Sequence, residues 1–211
     1  MRILTRGGVL LASTYLIAAV TALGQQQPSK GAGETPPISA DLSVTYSVER
    51  SQVAPGTCGC FWFQGAGADA AFTLWKGLGV GGAMTGEHAN QAPGMNIDKV
   101  AYVIGPRYTF AVRPHHSGVP PLQLFGEAFL GGVHGFNSIF PTPTGLNSSA
   151  TAFALQTGGG INVFASKRFA VRAIEVEYLH TALPNNYSNA QNDLRLGFGV
   201  TYHVSAISKR H

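Results

Sequence analysis

The sequence predicts an all-β fold, an eight-stranded antiparallel up-and-down transmembrane β-barrel, on three observations. From Ile38 onward apolar residues recur at every second position through eight segments, which is the period of a strand and not of a helix. The row opposite each apolar row consists of Gly and Ala with isolated charges of both signs. The whole chain has little charge, 11% Asp, Glu, Lys and Arg, and much glycine, 27 of 211 residues, against typical shares of about 25% and about 7%.

The segment before the strands has the three parts of a secretory signal. Arg2 and Arg6 precede an uncharged apolar run from Gly7 to Leu23, and the small residues Ala22 and Gly24 precede a cut before Gln25. The signal is therefore 1–24, and the absence of cysteine near the cut disfavours a lipid-anchored form. Residues 25–37, QQQPSKGAGETPP, are polar and rich in Pro and Gly, the composition of a flexible periplasmic leader. The barrel then occupies 38–205, and 206–211 form a short tail. No later run of 18 apolar residues exists, so any further membrane spans must be strands of a closed sheet.

The first strand, ISADLSVTYSVER, sets Leu42, Val44, Tyr46 and Val48 against Ser43, Thr45, Ser47 and Glu49. The second, near Phe61 to Trp75, sets Ala66, Ala68, Ala70, Phe72 and Leu74 against Gly65, Gly67, Asp69, Ala71 and Thr73. The third, Leu78 to Glu87, opposes Leu78, Val80 and Met84 to Gly79, Gly81, Ala83 and Thr85. In the fourth, Val100, Tyr102, Ile104, Tyr108 and Phe110 oppose Lys99, Ala101, Gly105, Arg107 and Thr109. The fifth, LQLFGEAFLGGVH, opposes Leu122, Leu124, Ala128 and Leu130 to Gln123, Phe125, Glu127, Phe129 and Gly131. The sixth opposes Phe153, Leu155, Ile161 and Val163 to Ala152, Ala154, Gln156, Gly158, Gly160 and Asn162. The seventh, VRAIEVEYLH, opposes Ile174, Val176 and Tyr178 to Ala173, Glu175 and Glu177. The eighth opposes Leu194, Leu196, Phe198, Val200, Tyr202 and Val204 to Asp193, Arg195, Gly197, Gly199, Thr201 and His203.

Alternation alone also fits a soluble sandwich with its apolar face inward. The composition of the second row decides the sense. A water-facing row would be rich in Lys, Glu, Ser and Thr, whereas Gly and Ala suit the crowded lumen of a narrow barrel, across which isolated charges pair. The connections agree. WKGLG and FASKRF are short, AVRPHHSGVPP is limited by proline, and residues 50–60, 86–96, 134–150 and 182–192 form long loops. Short turns at the periplasmic end and long loops outside are the pattern of transmembrane barrels. Trp62, Phe72, Trp75, Tyr102, Tyr108, Phe110, Phe136, Tyr178 and Tyr202 fall toward strand ends, where interfacial aromatic girdles lie.

YVIGPRYTF, LFGEAFLGGVH, LQTGGGINVFASKRFAVRAIEVEYLHT and RLGFGVTYHV resemble segments of the outer-membrane β-barrel domain family that includes the small OmpA-like and OmpX-like proteins. The resemblance spans about residues 38–205 and implies an eight-stranded barrel in the bacterial outer membrane. It also implies an assembly signal for the barrel-assembly machinery at Arg195, Gly197, Val200 and Tyr202. The chain continues past that signal as SAISKRH, whereas many relatives stop at a final aromatic residue.

The polar-row charges at membrane depth are Asp69, Lys99, Arg107, Glu127, Glu175, Glu177 and Arg195. Charges in a low-dielectric lumen persist when paired, so they predict a salt-bridged plug. A proton or ion path along them is the sharper alternative. Cys58 and Cys60, in GTCGCFWF, predict a strained disulfide in an exported chain, with metal binding as the alternative. Catalysis at the outer rim would need a convergence such as His134, His180, Ser138 and Glu87, but no Gly-x-Ser-x-Gly motif accompanies them. His115 and His116 fall in a turn, and the Asn147 and Asn186 sequons read as loop residues. The glycines at 158–160 lie inside a strand and form no phosphate loop.

The full chain carries 14 Lys and Arg against 10 Asp and Glu, and loss of Arg2 and Arg6 leaves 12 against 10. That balance lacks the concentrated basic face that nucleic acid requires. The expected protein is therefore a non-enzymatic outer-membrane barrel without cofactor, in contact with membrane lipid and acting through its long loops on a surface partner that no motif identifies. The alternative is a narrow porin-like channel.

Overall fold

The structure is a computed structural model and describes residues 39–52, 60–92, 95–112, 120–143, 145–185 and 188–205. The signal, the leader, the tail, Cys58, His115, His116 and Asn186 lie outside the described residues, as does the side chain of Cys60. Eight strands follow one another: β1 Ser39–Gln52, β2 Cys60–Trp75, β3 Leu78–Ala92, β4 Met95–Val112, β5 Leu122–Thr142, β6 Gly145–Phe164, β7 Phe169–Thr181 and β8 Gln191–Ser205. Each pairs antiparallel with the next, and β1 pairs with β8 to close the barrel. No helix occurs among the described residues.

Register turns the period-2 pattern into two surfaces. Leu42 faces Ala70 on one side and Tyr202 on the other, and Met84 faces Tyr102. These residues share the outer row. Ile104 is 65% exposed and Met84 is 60% exposed, and Leu42, Val44, Phe72, Leu130, Phe153, Val176, Phe198 and Val200 join them in a continuous apolar belt. An apolar surface encircling the molecule exceeds what a water-soluble monomer carries. The belt is about ten residues tall, which at ~3.4 Å per residue and a tilt near 40° is roughly 25 Å, the height of a lipid-facing band.

At the terminal end β2–β3 and β6–β7 are joined by short connections. Lys76 and Gly77 form a two-residue turn between β2 and β3, with φ of 46° and 89°. Positive φ at both positions matches the twist of a hairpin. The opposite end differs from the expected loops. Residues 86–92, 95–96, 134–142 and 145–150 are strand and not loop, because β3 runs on to Ala92, β4 starts at Met95, β5 reaches Thr142 and β6 starts at Gly145. Both are strand ribbons, and their side chains keep alternating beyond the belt. In β5 the ribbon bends where register shifts between Phe136 and Phe140, with Asn137 at φ 57°.

A second departure lies in β7. Alternation placed Ala173 with Glu175 and Glu177 in the lumen, but Ala173 is exposed and Arg172 is buried. Register shifts between Ile161 and Asn162, and again between Arg172 and Glu175. A one-residue bulge at Arg172 and Ala173 inverts the parity of the strand below it, which turns Arg172 away from lipid and into the lumen.

Candidate functional site: the charged lumen

The inner rows of all eight strands meet in a lumen filled by side chains. Glycine at many inner positions follows from this crowding. A Cβ at Gly81 would lie 2.9 Å from Phe129 Cζ, and one at Gly160 would lie 2.8 Å from Phe125 Cζ. Toward the far end, inward Val103, Phe129, Val133 and Leu179 form an apolar plug with Phe140 from the β5 ribbon and Leu183 after β7. The remainder is ionic.

The upper charge cluster centres on Lys99 of β4 and Arg195 of β8. Lys99 Nζ donates to Glu49 of β1 and lies 3.4 Å from Glu87 and 3.8 Å from Asp193. Its ammonium also stands 4.1 Å above the Phe63 ring. Arg195 grips Glu87 with two hydrogen bonds of 3.0 Å, the fork geometry that makes guanidinium the preferred partner of a carboxylate. It also pairs with Glu49 Oε2 at 3.1 Å and donates to Glu177 Oε2 at 3.1 Å.

The lower cluster centres on Arg107 and Arg172. Both donate to Asp69, Arg107 at 2.5 Å and Arg172 at 2.7 Å. Arg172 further reaches Glu175 at 2.7 Å, Ser43 at 2.6 Å and Asn162 at 3.3 Å. The Phe125 ring stands near both guanidiniums, 4.0 Å from Arg107 and 4.6 Å from Arg172, and adds cation–π attraction to each. Gln156 joins the clusters by donating to Glu127 at 3.3 Å and Glu177 at 2.5 Å. Near the termini, Gln123 donates to Asp41 at 3.1 Å, and the His203 ring lies against the same carboxylate.

All seven charges anticipated for the lumen lie in it, and five more join them. Glu49 and Asp193 sit on the polar rows of β1 and β8, where parity makes them legible. Glu87 is bonded to Arg195, Asp41 lies at the terminal mouth, and Arg172 enters through the bulge. The seven anticipated charges, four negative and three positive, come near balance, and the full lumen does not. Among the described residues the lumen carries eight carboxylates, Asp41, Glu49, Asp69, Glu87, Glu127, Glu175, Glu177 and Asp193, against Lys99, Arg107, Arg172 and Arg195.

The imagined rim constellation does not converge. Glu87 points inward, whereas His134 and His180 occupy the outer row, bonded to Thr151 and Asn192 at 2.8 Å, and Ser138 lies on the bend of β5. His134 and His180 belong to a polar ring that caps the belt, together with His88 and Asp98. Asp98 accepts from Asn137 at 2.5 Å and contacts His88 at 2.5 Å. These contacts hold the exposed Asp98 carboxyl below its ordinary range and the His88 imidazole above its own. Of the anticipated assembly signal, Arg195 and Gly197 face the lumen while Val200 and Tyr202 face the belt.

No protein-family model matches the chain, and no curated protein matches it. Among solved structures it is similar to Neisserial surface protein A, at 14% identity and a TM-score of 0.54 over 78% of this chain and 96% of that one. It is also similar to Ail, the attachment invasion locus protein of Yersinia pestis, at 13% identity and a TM-score of 0.46 over 79% of this chain and 98% of that one. A third likeness is to the outer membrane protein OprG from Pseudomonas aeruginosa, at 9% identity and a TM-score of 0.44 over 82% of this chain and 99% of that one. The chain has the fold of the small eight-stranded outer-membrane barrels.

Proposed function

We propose that this barrel resides in the bacterial outer membrane, holds its lumen closed with the charge network, and serves in adhesion or binding at the cell surface through the ribbons at the end away from its termini. The observation that carries the reading is the filled lumen. Lys99, Arg107, Arg172 and Arg195 are at most 3% exposed and span the cross-section with their carboxylates, leaving no wide aqueous path such as a porin needs. A closed barrel of this size is an anchor, and function then falls to what it presents.

The β5–β6 ribbon is the strongest candidate for presentation. Its strands are 21 and 20 residues long, about twice the 9–11 needed to cross a bilayer. Beyond the belt it exposes Ile139 at 61% and Leu146 at 71%, apolar contacts that suit a partner surface. Outer-membrane lipid would cover the belt. Export through the 1–24 signal and recognition of Arg195, Gly197, Val200 and Tyr202 by the barrel-assembly machinery fit the same placement.

Two measurements test this proposal. Planar-bilayer recordings of the folded barrel are expected to show no channel events above background; steady single-channel conductance would replace the closed anchor with the narrow channel. Cells displaying the barrel with 138–147 replaced by a two-residue Asn-Gly turn are expected to lose surface adhesion while retaining the folded barrel. Unchanged adhesion would remove the ribbon from the proposal.

A further inference from the structure

We propose that the centre of the lumen is a binding site for a calcium-type divalent cation, held by Glu127 of β5 and by Glu175 and Glu177 of β7. One oxygen from each of these three buried carboxylates lies within 4.8 Å of the others. Two oxygens bound to one ion at about 2.4 Å stand no farther apart than about 4.8 Å, so a single calcium, which takes oxygen ligands in flexible geometry, can reach all three carboxylates. The donors are hard oxygens without imidazole or thiolate, which excludes a preference for zinc or copper.

Three independent features point to a ligand at this place. A cavity of about 10 Å³ lies between the charge clusters, bordered by Ser47, Asp69, Glu127, Glu175, Glu177 and Arg195. That is about the room of one water-sized sphere. Glu127, whose side chain is 3% exposed, borders it with an Oε2 that accepts no hydrogen bond, and the nearest cation, Arg107 Nε, stands 3.4 Å away. An orphaned buried carboxylate oxygen is costly unless something satisfies it. Finally, eight lumen carboxylates face four Lys and Arg side chains, so any carboxylate ionised beyond those four needs a further counter-charge in this low-dielectric interior. A divalent ion supplies two units of it at the point where carboxylates crowd most.

The surrounding backbone keeps this place open. A Cβ at Gly158 would lie 2.9 Å from Glu177 Cγ, and one at Gly197 would lie 3.1 Å from Glu175 Oε2. Arg172 bonds one oxygen of Glu175 at 2.7 Å, and Arg195 and Gln156 each bond one oxygen of Glu177 at 3.1 and 2.5 Å, so each carboxylate keeps lone pairs for the ion. Ser47, whose hydroxyl donates to Glu87 at 3.0 Å, borders the cavity as a neutral oxygen.

The inference rests on the closed-lumen proposal, and the experiment separates the two. The full chain is folded in detergent micelles, stripped with EDTA and titrated with calcium chloride, with potassium chloride at matched ionic strength as control. Bound metal is counted by elemental mass spectrometry after gel filtration, and stability is read as the temperature at which the compact electrophoretic form disappears. One calcium per chain is expected, with a rise of about 5 °C over the EDTA sample. Glu127→Gln is expected to weaken calcium binding at least tenfold, whereas Asp98→Asn on the outer ring leaves it unchanged. Coincident temperatures in calcium and EDTA, with no metal retained by the unsubstituted chain, would overturn the site whether or not the variants fold. In that case a non-conducting barrel would still support the closed lumen, while a conducting one would remove both.

Discussion

Arg172 is fully buried and donates to Asp69, Glu175, Ser43 and Asn162. Removing one partner of a buried ionic cluster leaves the other charges desolvated and unpaired, at a cost of about 3–5 kcal/mol. Arg172→Ala is therefore expected to lower unfolding stability by that amount in reversible urea titrations in lipid vesicles. Arg172→Lys should recover only part of it, since a point ammonium cannot bridge Asp69 and Glu175 as a fork does. A variant as stable as the parent would show that the bonds around Arg172 contribute nothing net.

At the outer ring the expected effect is in titration. Asn137 and then His88 lower the Asp98 carboxyl, while Asp98 raises His88. The stabilising contribution of the raised imidazole is present below its ordinary range and fades as pH climbs through the raised value. That of the lowered carboxylate is present above its ordinary range and fades as pH falls through the lowered value, so the pair is strongest between the two. Asp98→Asn is expected to bring the His88 titration, followed by NMR, down toward the ordinary imidazole range. An unmoved His88 would mean that the contact does not persist in solution.

Among the elements, β7 shows how one residue changes what a strand presents. Its bulge adds Ala173 to an otherwise regular alternation, so deleting Ala173 leaves Val171 outward, Arg172 inward and Ile174 outward. The deletion variant is expected to fold and to keep its heat-shifted electrophoretic band. Deleting Val176 instead flips one side of the strand against the other, pointing glutamates or arginine at lipid, and should abolish that band. Equal behaviour of the two deletions would refute the bulge. Within the belt the parity of β1 to β6 and β8 was legible in the sequence because their alternation is unbroken there. The β7 bulge was not, although an arginine in a lipid-facing row is itself a warning, since it costs about 2–4 kcal/mol near the bilayer midplane. The ribbons of β3–β4 and β5–β6 were hidden for another reason: beyond the belt the outer face meets water in place of lipid, so apolar alternation ends before the hydrogen-bonded ladder does.

On the scale of the whole molecule, closure of β1 on β8 removes every sheet edge and satisfies the backbone inside a bilayer. The intact barrel is expected to fractionate with membranes and to migrate differently on electrophoresis before and after boiling. A soluble protein without such a shift would contradict the outward apolar belt. Strand number, the direction of the apolar face and seven of the lumen charges were determined by the sequence alone, because each follows from a two-residue period that the chain repeats locally. Which charges meet was decided only by tertiary structure. Arg172 and Asp69 are 103 residues apart, and Arg195 and Glu87 are 108, and no local pattern encodes a distance across a closed barrel. The excess of carboxylates was legible only in part: parity alone places Glu49 and Asp193 on inner rows, whereas register decided that they meet Glu87 in one lumen and the bulge brought Arg172 in among them.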